Sequence, residues 1–254
     1  MKSVVITFLF LLGVGSWRIA VHQCSGNEPG AMPADREPPG RRAQAQVRAI
    51  DASGICVTSG GVARAARGRM RVDGPKMRGV AQGSSGDVGE LRFLYRGATE
   101  QVAPLASGQI RRQVGLKLRA QDGCNLVYVM WRIDPKPGIE VQIKSNPGMR
   151  VNSECGNRGY KKMSPRRRAP VPTLAPGSEH SLHAELTGQD LHVWVDGAVV
   201  WEGDLGPEAR MLSGPVGMRS DNVALELELL ADPARQTASL TKVPGRCAPA
   251  GDSE

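Results

Sequence analysis

The chain has 254 residues, a formal net charge of +8, 31 glycines, 18 prolines and an aromatic content of 4%. That length suits one sizeable all-β domain or two small ones, and no apolar period of helical spacing runs beyond two turns, which argues against a helical fold. The basic balance fits anionic partners, but much of it lies in tails and loops, where charge serves solubility.

The N-terminus, MKSVVITFLFLLGVGS, places one lysine before an apolar run, Val4 to Val14, and then small residues. This reads as a secretory signal peptide over residues 1–16, too short to span a bilayer, with an uncleaved anchor the less favoured reading. The mature chain then carries no stable membrane span, and the expected location is secreted or periplasmic, at the cell envelope. Lipid anchoring at Cys24 is disfavoured, because Ala20-Val21-His22-Gln23 lacks the small residues that precede a lipidated cysteine. Residues 17–65 read as a linker and lead-in: Pro29, Pro33, Pro38 and Pro39 punctuate a stretch without apolar period. Ile50 to Val62 is an irregular lead-in or an edge strand.

A domain is expected over residues 66–232. Arg67 to Val80 alternates basic and apolar residues as a solvated strand face does, and no nucleic-acid-binding motif accompanies it, so no nucleic-acid partner is expected. Gly89–Arg96, Gly108–Arg119 and Asn125–Asp134 read as strands, Leu126 to Met130 being apolar on both faces as in a strand covered on both sides. Pro135-Lys136-Pro137-Gly138 turns the chain into Ile139–Ser145, with Ile139, Val141 and Ile143 inward and Glu140, Gln142 and Lys144 outward. Residues 146–176 form a long polar excursion of the kind that is usually functional or disordered. Cysteine usage fits export, and the pairing expected is Cys124–Cys155 within the domain and Cys56–Cys247 joining its ends.

Residues 181–230 give the clearest register. A two-residue turn at Gly188-Gln189 sets Thr187 opposite Asp190, Glu185 opposite His192 and His183 opposite Trp194. Leu182, Ala184, Leu186, Leu191, Val193 and Val195 then fall on one face. Asp196-Gly197 supplies the next turn and Ala198–Glu202 runs back. Val216–Arg219, a turn at Asp221-Asn222 and Val223–Leu230 continue what reads as an antiparallel meander. Residues 233–254 are a proline-bearing tail.

Three segments, LKLRAQDGCNLVYVMWRID (116–134), HSLHAELTGQDLHVWVDGAVVWEG (180–203) and GPVGMRSDNVALELELL (214–230), resemble the concanavalin A-like lectin/glucanase superfamily. The likeness is strongest to its bacterial exported branch of 3-keto-disaccharide hydrolase-like and laminin G-like domains. It implies an all-β, two-sheet antiparallel jelly-roll sandwich between disordered N- and C-terminal tails, with ligands lying across a concave sheet. The fold hosts lectins, glycosidases and inert modules alike, so it does not fix an activity.

Chemistry is sparse. The Glu-x-Asp-x-Glu face of the superfamily's glucanases, which supplies the paired carboxyls of retaining hydrolysis, has only Glu140 here, with Lys144 where an acid/base would stand. A lyase-type Gln-Ile-His segment lacks its histidine at Lys144. No nucleophile elbow, HExxH or phosphate loop is present. Glu185, His192 and His183 could converge on a metal, though a polar outer face is the plainer reading, and no cofactor is implied. A ligand face is the better assignment. Read in pleat phase, Lys117, Arg119, Tyr128, Arg132, Glu140, Gln142, Lys144, His192 and Trp194 share one basic sheet surface. Aromatic platforms and planar polar groups suit sugars. Against this, Trp194, Val199 and Trp201 fall on one face and can simply pack the sheet. The expected function is an exported carbohydrate- or surface-binding module without evident catalytic residues, its partner a glycan or an acidic envelope polymer. A glycoside hydrolase acting on keto-disaccharides is the alternative, and an adhesive module with a protein partner the third.

Overall fold

A computed structural model describes residues 47–233. The expected signal peptide, the 17–46 part of the linker, the tail beyond Pro233, Cys24 and Cys247 lie outside the described residues. In chain order the strands are β1 (Arg48–Ile50), β2 (Ile55–Ser59), β3 (Ala63–Arg64), β4 (Met70–Val72), β5 (Lys76–Ala81), β6 (Ser84–Ala98), β7 (Arg112–Leu118) and β8 (Leu126–Asp134). They continue as β9 (Gly138–Lys144), β10 (Tyr160–Lys162), β11 (Arg167–Arg168), β12 (Glu179–Thr187), β13 (Asp190–Val195), β14 (Ala198–Asp204), β15 (Gly217–Asp221) and β16 (Val223–Pro233).

They build two antiparallel sheets. One has nine strands, ordered β11-β14-β13-β12-β6-β16-β4-β3 with β1 also on β16; the other has seven, ordered β10-β9-β8-β7-β15-β5-β2. This is the two-sheet antiparallel jelly roll expected from the concanavalin A-like resemblance. Because β1, β2 and β3 already pair into the sheets, the sandwich begins ahead of Ala66. The described residues belong to one unit.

The β12–β13 hairpin has the register that its apolar phase predicts: Thr187 faces Asp190, Glu185 faces His192 and His183 faces Trp194. Its six alternating apolar residues are buried between the sheets, each contributing roughly 1.5–3 kcal/mol for a Leu- or Val-sized side chain. Asp196 and Gly197 both adopt positive φ, +50° and +79°, the twist a two-residue hairpin turn needs.

Two features differ from the sequence reading. Asp221-Asn222 is a crossover rather than a meander turn: β15 pairs with β5 and β7 in one sheet, β16 with β6 and β4 in the other. The meander is confined to β12, β13 and β14. Secondly, the β13–β14 pairing shifts between Val193 and Trp194, so Trp194 faces Val199 while Val193 faces Trp201. Such a bulge inserts one residue and reverses the side-chain phase beyond it. Val200 and Trp201 are therefore both buried, and only Val199 stays outside beside Trp194. Gly203 makes room for the Trp201 ring, since a Cβ there would lie 2.7 Å from it.

The expected Cys124–Cys155 disulfide is formed, closing a 31-residue separation, worth roughly 3–4 kcal/mol in the chain-entropy account. Cys56 is also disulfide-bonded; the Cys247 half of the second expected bridge lies outside the described residues.

The bulge makes the two tryptophans unequal. Trp201→Ala lowers unfolding free energy by about 3–5 kcal/mol, whereas Trp194→Ala costs about 1 kcal/mol or less. Urea melts of the two variants measure this, and equal losses would contradict the assigned phase.

Candidate functional site

Every buried charged side chain among the described residues lies on the outer face of the seven-stranded sheet. These are Arg78, Lys117, Arg132, Lys144 and Arg219 against Glu140 and Asp221. They are buried because the 99–111 and 146–160 segments rise over this face. Leu105, Ser107 and Arg111 from the first, and Asn157 and Tyr160 from the second, border a cavity of about 200 Å³ floored by Gln113, Tyr128, Glu140 and Arg219.

Each wall has a specific tether. Asn222 holds the first segment: its Nδ2 donates to the carbonyls of Ala103 and Arg111, both at 2.9 Å, and its Oδ1 accepts from the Ala103 N–H at 2.8 Å. The second is held by the disulfide, by Lys144 Nζ donating to Gly123 O (3.0 Å) and Asn152 Oδ1 (2.9 Å), and by Asn125 Nδ2 donating to Met149 O (2.7 Å).

In and beneath the cavity the aromatic and cationic groups interleave. Tyr128 and Tyr160 stack at 6.1 Å. Arg219 lies 5.1 Å over Tyr128 and Lys144 5.0 Å over Tyr160, so part of each buried cation's charge is met by a ring face. Arg219 reaches Tyr128 across β7, where its register partner is Gly115. A side chain at Gly115 would obstruct that reach, and its Cβ would come within 2.2 Å of Val129 O.

Two carboxylates organise the cations. Asp221 accepts from Arg78 (2.5 Å), Arg219 (2.9 Å) and Gln113 (2.7 Å). Burial opposes its ionisation, but the Arg219 and Arg78 charges outweigh burial and hold the carboxyl down at about 2. Glu140 is bridged by Arg132 (2.5 Å), Lys162 (3.0 Å) and Arg111 (3.3 Å), and accepts from Gln142 Nε2 (3.1 Å). Burial raises it, yet Lys162 and the two arginines carry it below the usual glutamate range. Burial, and then the Arg132 charge, push Arg111 below the ordinary arginine value. Arg132 Nε is buried and makes no hydrogen bond among the described residues.

Of the nine side chains expected on one surface, Lys117, Tyr128, Arg132, Glu140, Gln142 and Lys144 do share this face. Three do not. Arg119 has φ +46°, so the chain has left the β7 pleat; its guanidinium bonds Asp87 (2.6 Å), Gly188 O (2.9 Å) and Ala209 O (2.6 Å) between loops. His192 and Trp194 belong to the nine-stranded sheet and point away from the core on its far side. There Trp194 packs 5.2 Å from His183 and 5.8 Å from His192. His183 bonds Glu185 (3.0 Å) with Glu90 at 3.6 Å. Burial disfavours its charged form, but the two carboxylates prevail and raise it. No group of three or more His, Cys, Asp or Glu residues is placed to hold a metal among the described residues. The sequence reading missed Arg111, Gln113, Tyr160 and Arg219. Arg219 alone had a signal, standing in phase with Asp221 on a short strand.

Fold and site together define a β-sandwich domain with a cationic, loop-walled pocket on one sheet. No family model matches the sequence, and no curated protein matches it. Solved structures similar to the chain include a carbohydrate-binding module, CBM66, from Bacillus subtilis. It is 13% identical, covers 68% of this chain and 91% of its own, and has a TM-score of 0.46. A tetrameric galectin from the ball sponge Cinachyrella sp. is 13% identical over 62% and 99%, TM-score 0.40. Domain 4 of AbnA, a GH43 extracellular arabinanase from Geobacillus stearothermophilus solved with arabinotriose, is 11% identical over 69% and 77%, TM-score 0.37. Likeness at that level transfers no ligand and no residue role.

The Asp221 network fixes a pH dependence. Its carboxyl, ordinarily near 3.8, is held at about 2 in the fold. The unfolded chain therefore binds more protons as the pH falls, and this contribution to stability is present above about pH 4 and lost on descending through pH 2. Asp221→Asn flattens that limb of the stability–pH curve. It also lowers stability at pH 7 by about 3–5 kcal/mol, because Arg78 and Arg219 stay buried without their counter-charge. Urea melts from pH 2 to 7 read both effects.

Proposed function

We propose that the chain is an exported saccharide-binding module whose pocket on the seven-stranded sheet takes an acidic sugar residue. The observation that carries this reading is that, among the described residues, five buried cations and two carboxylates gather beside a cavity walled by stacked tyrosines. A face this cationic attracts an anion, and an acidic ligand would add negative charge where the buried cations are concentrated. The cavity is smaller than the roughly 300–1,000 Å³ of drug-sized sites, so one sugar residue enters rather than a run of several.

In this reading Arg111 meets the ligand carboxylate. It is only partly buried, and its contact with Glu140 is the longest of the three ion pairs there. Tyr128 and Tyr160 offer ring area, while Gln113 and Gln142 serve hydroxyls. Glu140 orients the cations, and Lys117, Arg132 and Lys144 supply field from below. The disulfides fit an oxidising compartment, which supports export.

The hydrolase alternative asks more of Glu140. A glycosidase acid needs a raised pKa and a second carboxyl about 5–5.5 Å away when retaining. Glu140 is instead held ionised and is the only acid among the residues lining the cavity.

Capture on immobilised polygalacturonate, with a neutral β-glucan as control, tests the proposal. Wild-type protein binds the acidic polymer selectively and releases it in molar salt. Arg111→Ala weakens binding about tenfold or more, the loss of one charge-assisted contact. Glu140→Gln keeps or strengthens capture, because it removes the competing carboxylate. Equal capture of both polymers, or none, would sink the proposal, and turnover of 3-keto-disaccharides abolished by Glu140→Gln would establish the hydrolase instead.

A further inference from the structure

A second cluster of reactive groups stands at one end of the sandwich, where β12 begins and the β13–β14 hairpin turns. His180 Nε2 lies 2.9 Å from Ser178 Oγ, and His180 Nδ1 lies 2.7 Å from Asp196 Oδ2. The other Asp196 oxygen accepts the Ser181 N–H at 2.8 Å, and the Asp196 N–H donates to Ser181 O at 3.1 Å, so the carboxylate is fixed from two sides. The imidazole is fixed too, packed edge-on at 5.4 Å to Trp131 and 6.2 Å from Phe93. A recess of about 270 Å³, lined in part by Arg69, Arg92, His180 and Asp196, opens beside it.

We propose that Ser178, His180 and Asp196 form a nucleophile, base and orienting carboxylate that makes Ser178 acylable by small O-acyl esters. Hydroxyl, imidazole and carboxylate in hydrogen-bond series are the arrangement by which a serine is activated on otherwise unrelated folds. Ser178 Oγ adds to the ester carbonyl carbon as its proton passes to His180 Nε2. The adduct collapses, the bond to the leaving alcohol breaks, and that oxygen takes the proton from His180. Water then attacks the acyl-serine with the same proton traffic, releasing the acid and restoring the hydroxyl. Asp196 positions the imidazole and offsets its transient charge.

Two features set the rate. The Ser178 hydroxyl also lies 2.6 Å from Ala175 O and must turn from it towards His180. The N–H groups of Gly177 and Ser178 are committed to Tyr95 O and Ala175 O, and Arg69 and Arg92 are paired with Glu179 and Glu90, so no preset oxyanion donor stands beside Ser178 among the described residues. Slow turnover with trappable acylation is expected rather than efficient hydrolysis.

The experiment is labelling of the full chain with a fluorophosphonate probe, peptide mapping of the adduct, and p-nitrophenyl acetate hydrolysis. The label falls on Ser178 and is lost in Ser178→Ala. Labelling and hydrolysis drop about a hundredfold in His180→Gln and Asp196→Asn. Asn tolerates the positive φ at 196 and keeps an acceptor for Ser181, so this variant decides the matter should His180→Gln unfold. Absence of label at Ser178, or labelling unchanged in Asp196→Asn while only the melting temperature falls, overturns the proposal and leaves the trio as a lock on the end of the core. Polygalacturonate capture, read in parallel, is unaffected by Ser178→Ala, since that pocket lies on the seven-stranded sheet.

Discussion

The Asp221 carboxylate lies where β15, inside the seven-stranded sheet, ends and the chain crosses to the other sheet. It is fully buried, and Arg78, Arg219 and Gln113 all donate to it. A buried ion pair of this kind is a poor source of net stability, because desolvation consumes most of the Coulombic gain, but removing one member is severe. Its effect here is to make one arrangement of three neighbouring strands the only one in which those charges are met. The next residue, Asn222, takes φ +56° and carries both the crossover and the tether of the 99–111 segment. The pocket wall, the placement of Arg111 and the separation of the two sheets all hang on this dipeptide.

From that constraint the character of the site follows. Arg219 is held by Asp221 at its Nε, so its guanidinium plane is set as it lies over Tyr128. Lys144 is fixed by two oxygens and lies against Tyr160. These side chains give up little conformational entropy when a ligand arrives, which is what makes a polar pocket effective. Arg111 differs: it is bonded to Gln109 in its own segment and reaches Glu140 only at 3.3 Å. One adaptable cation against a rigid floor suits recognition of a carboxylate whose position varies between sugars.

How far the sequence could lead depended on what kind of signal each feature leaves. Hairpin register was legible because six apolar residues in phase around Gly188-Gln189 admit one pairing. The doubly apolar run Leu126 to Met130 announced a strand covered on both faces. Pleat phase, however, says which side of its own strand a residue takes and nothing about which sheet the strand joins. That is why Trp194 and His192, in phase with the others, are on the far sheet. The β13–β14 bulge leaves no mark in composition, so Trp201 looked like a partner of Trp194. Arg111 and Tyr160 come from covering segments without periodicity, and only the folded chain brings them over Tyr128.

The two outer faces show why one is a site and the other a surface. On the nine-stranded sheet the charges pair across neighbours: Arg92 with Glu90 at 2.6 Å, Arg96 with Glu226 at 2.6 Å, and His183 with Glu185 at 3.0 Å. These side chains keep contact with water, so each pair is weak and none requires a further partner. On the seven-stranded sheet the covering segments exclude water, so the effective dielectric falls and the same types of charge interact more strongly. There the cations exceed the carboxylates, and the two tyrosine faces offset only part of the difference. A covered, unbalanced and rigid set of charges is hard to account for as packing alone, because apolar residues of similar volume would fill the space at lower desolvation cost. The proposed acidic ligand would give that arrangement a purpose beyond packing.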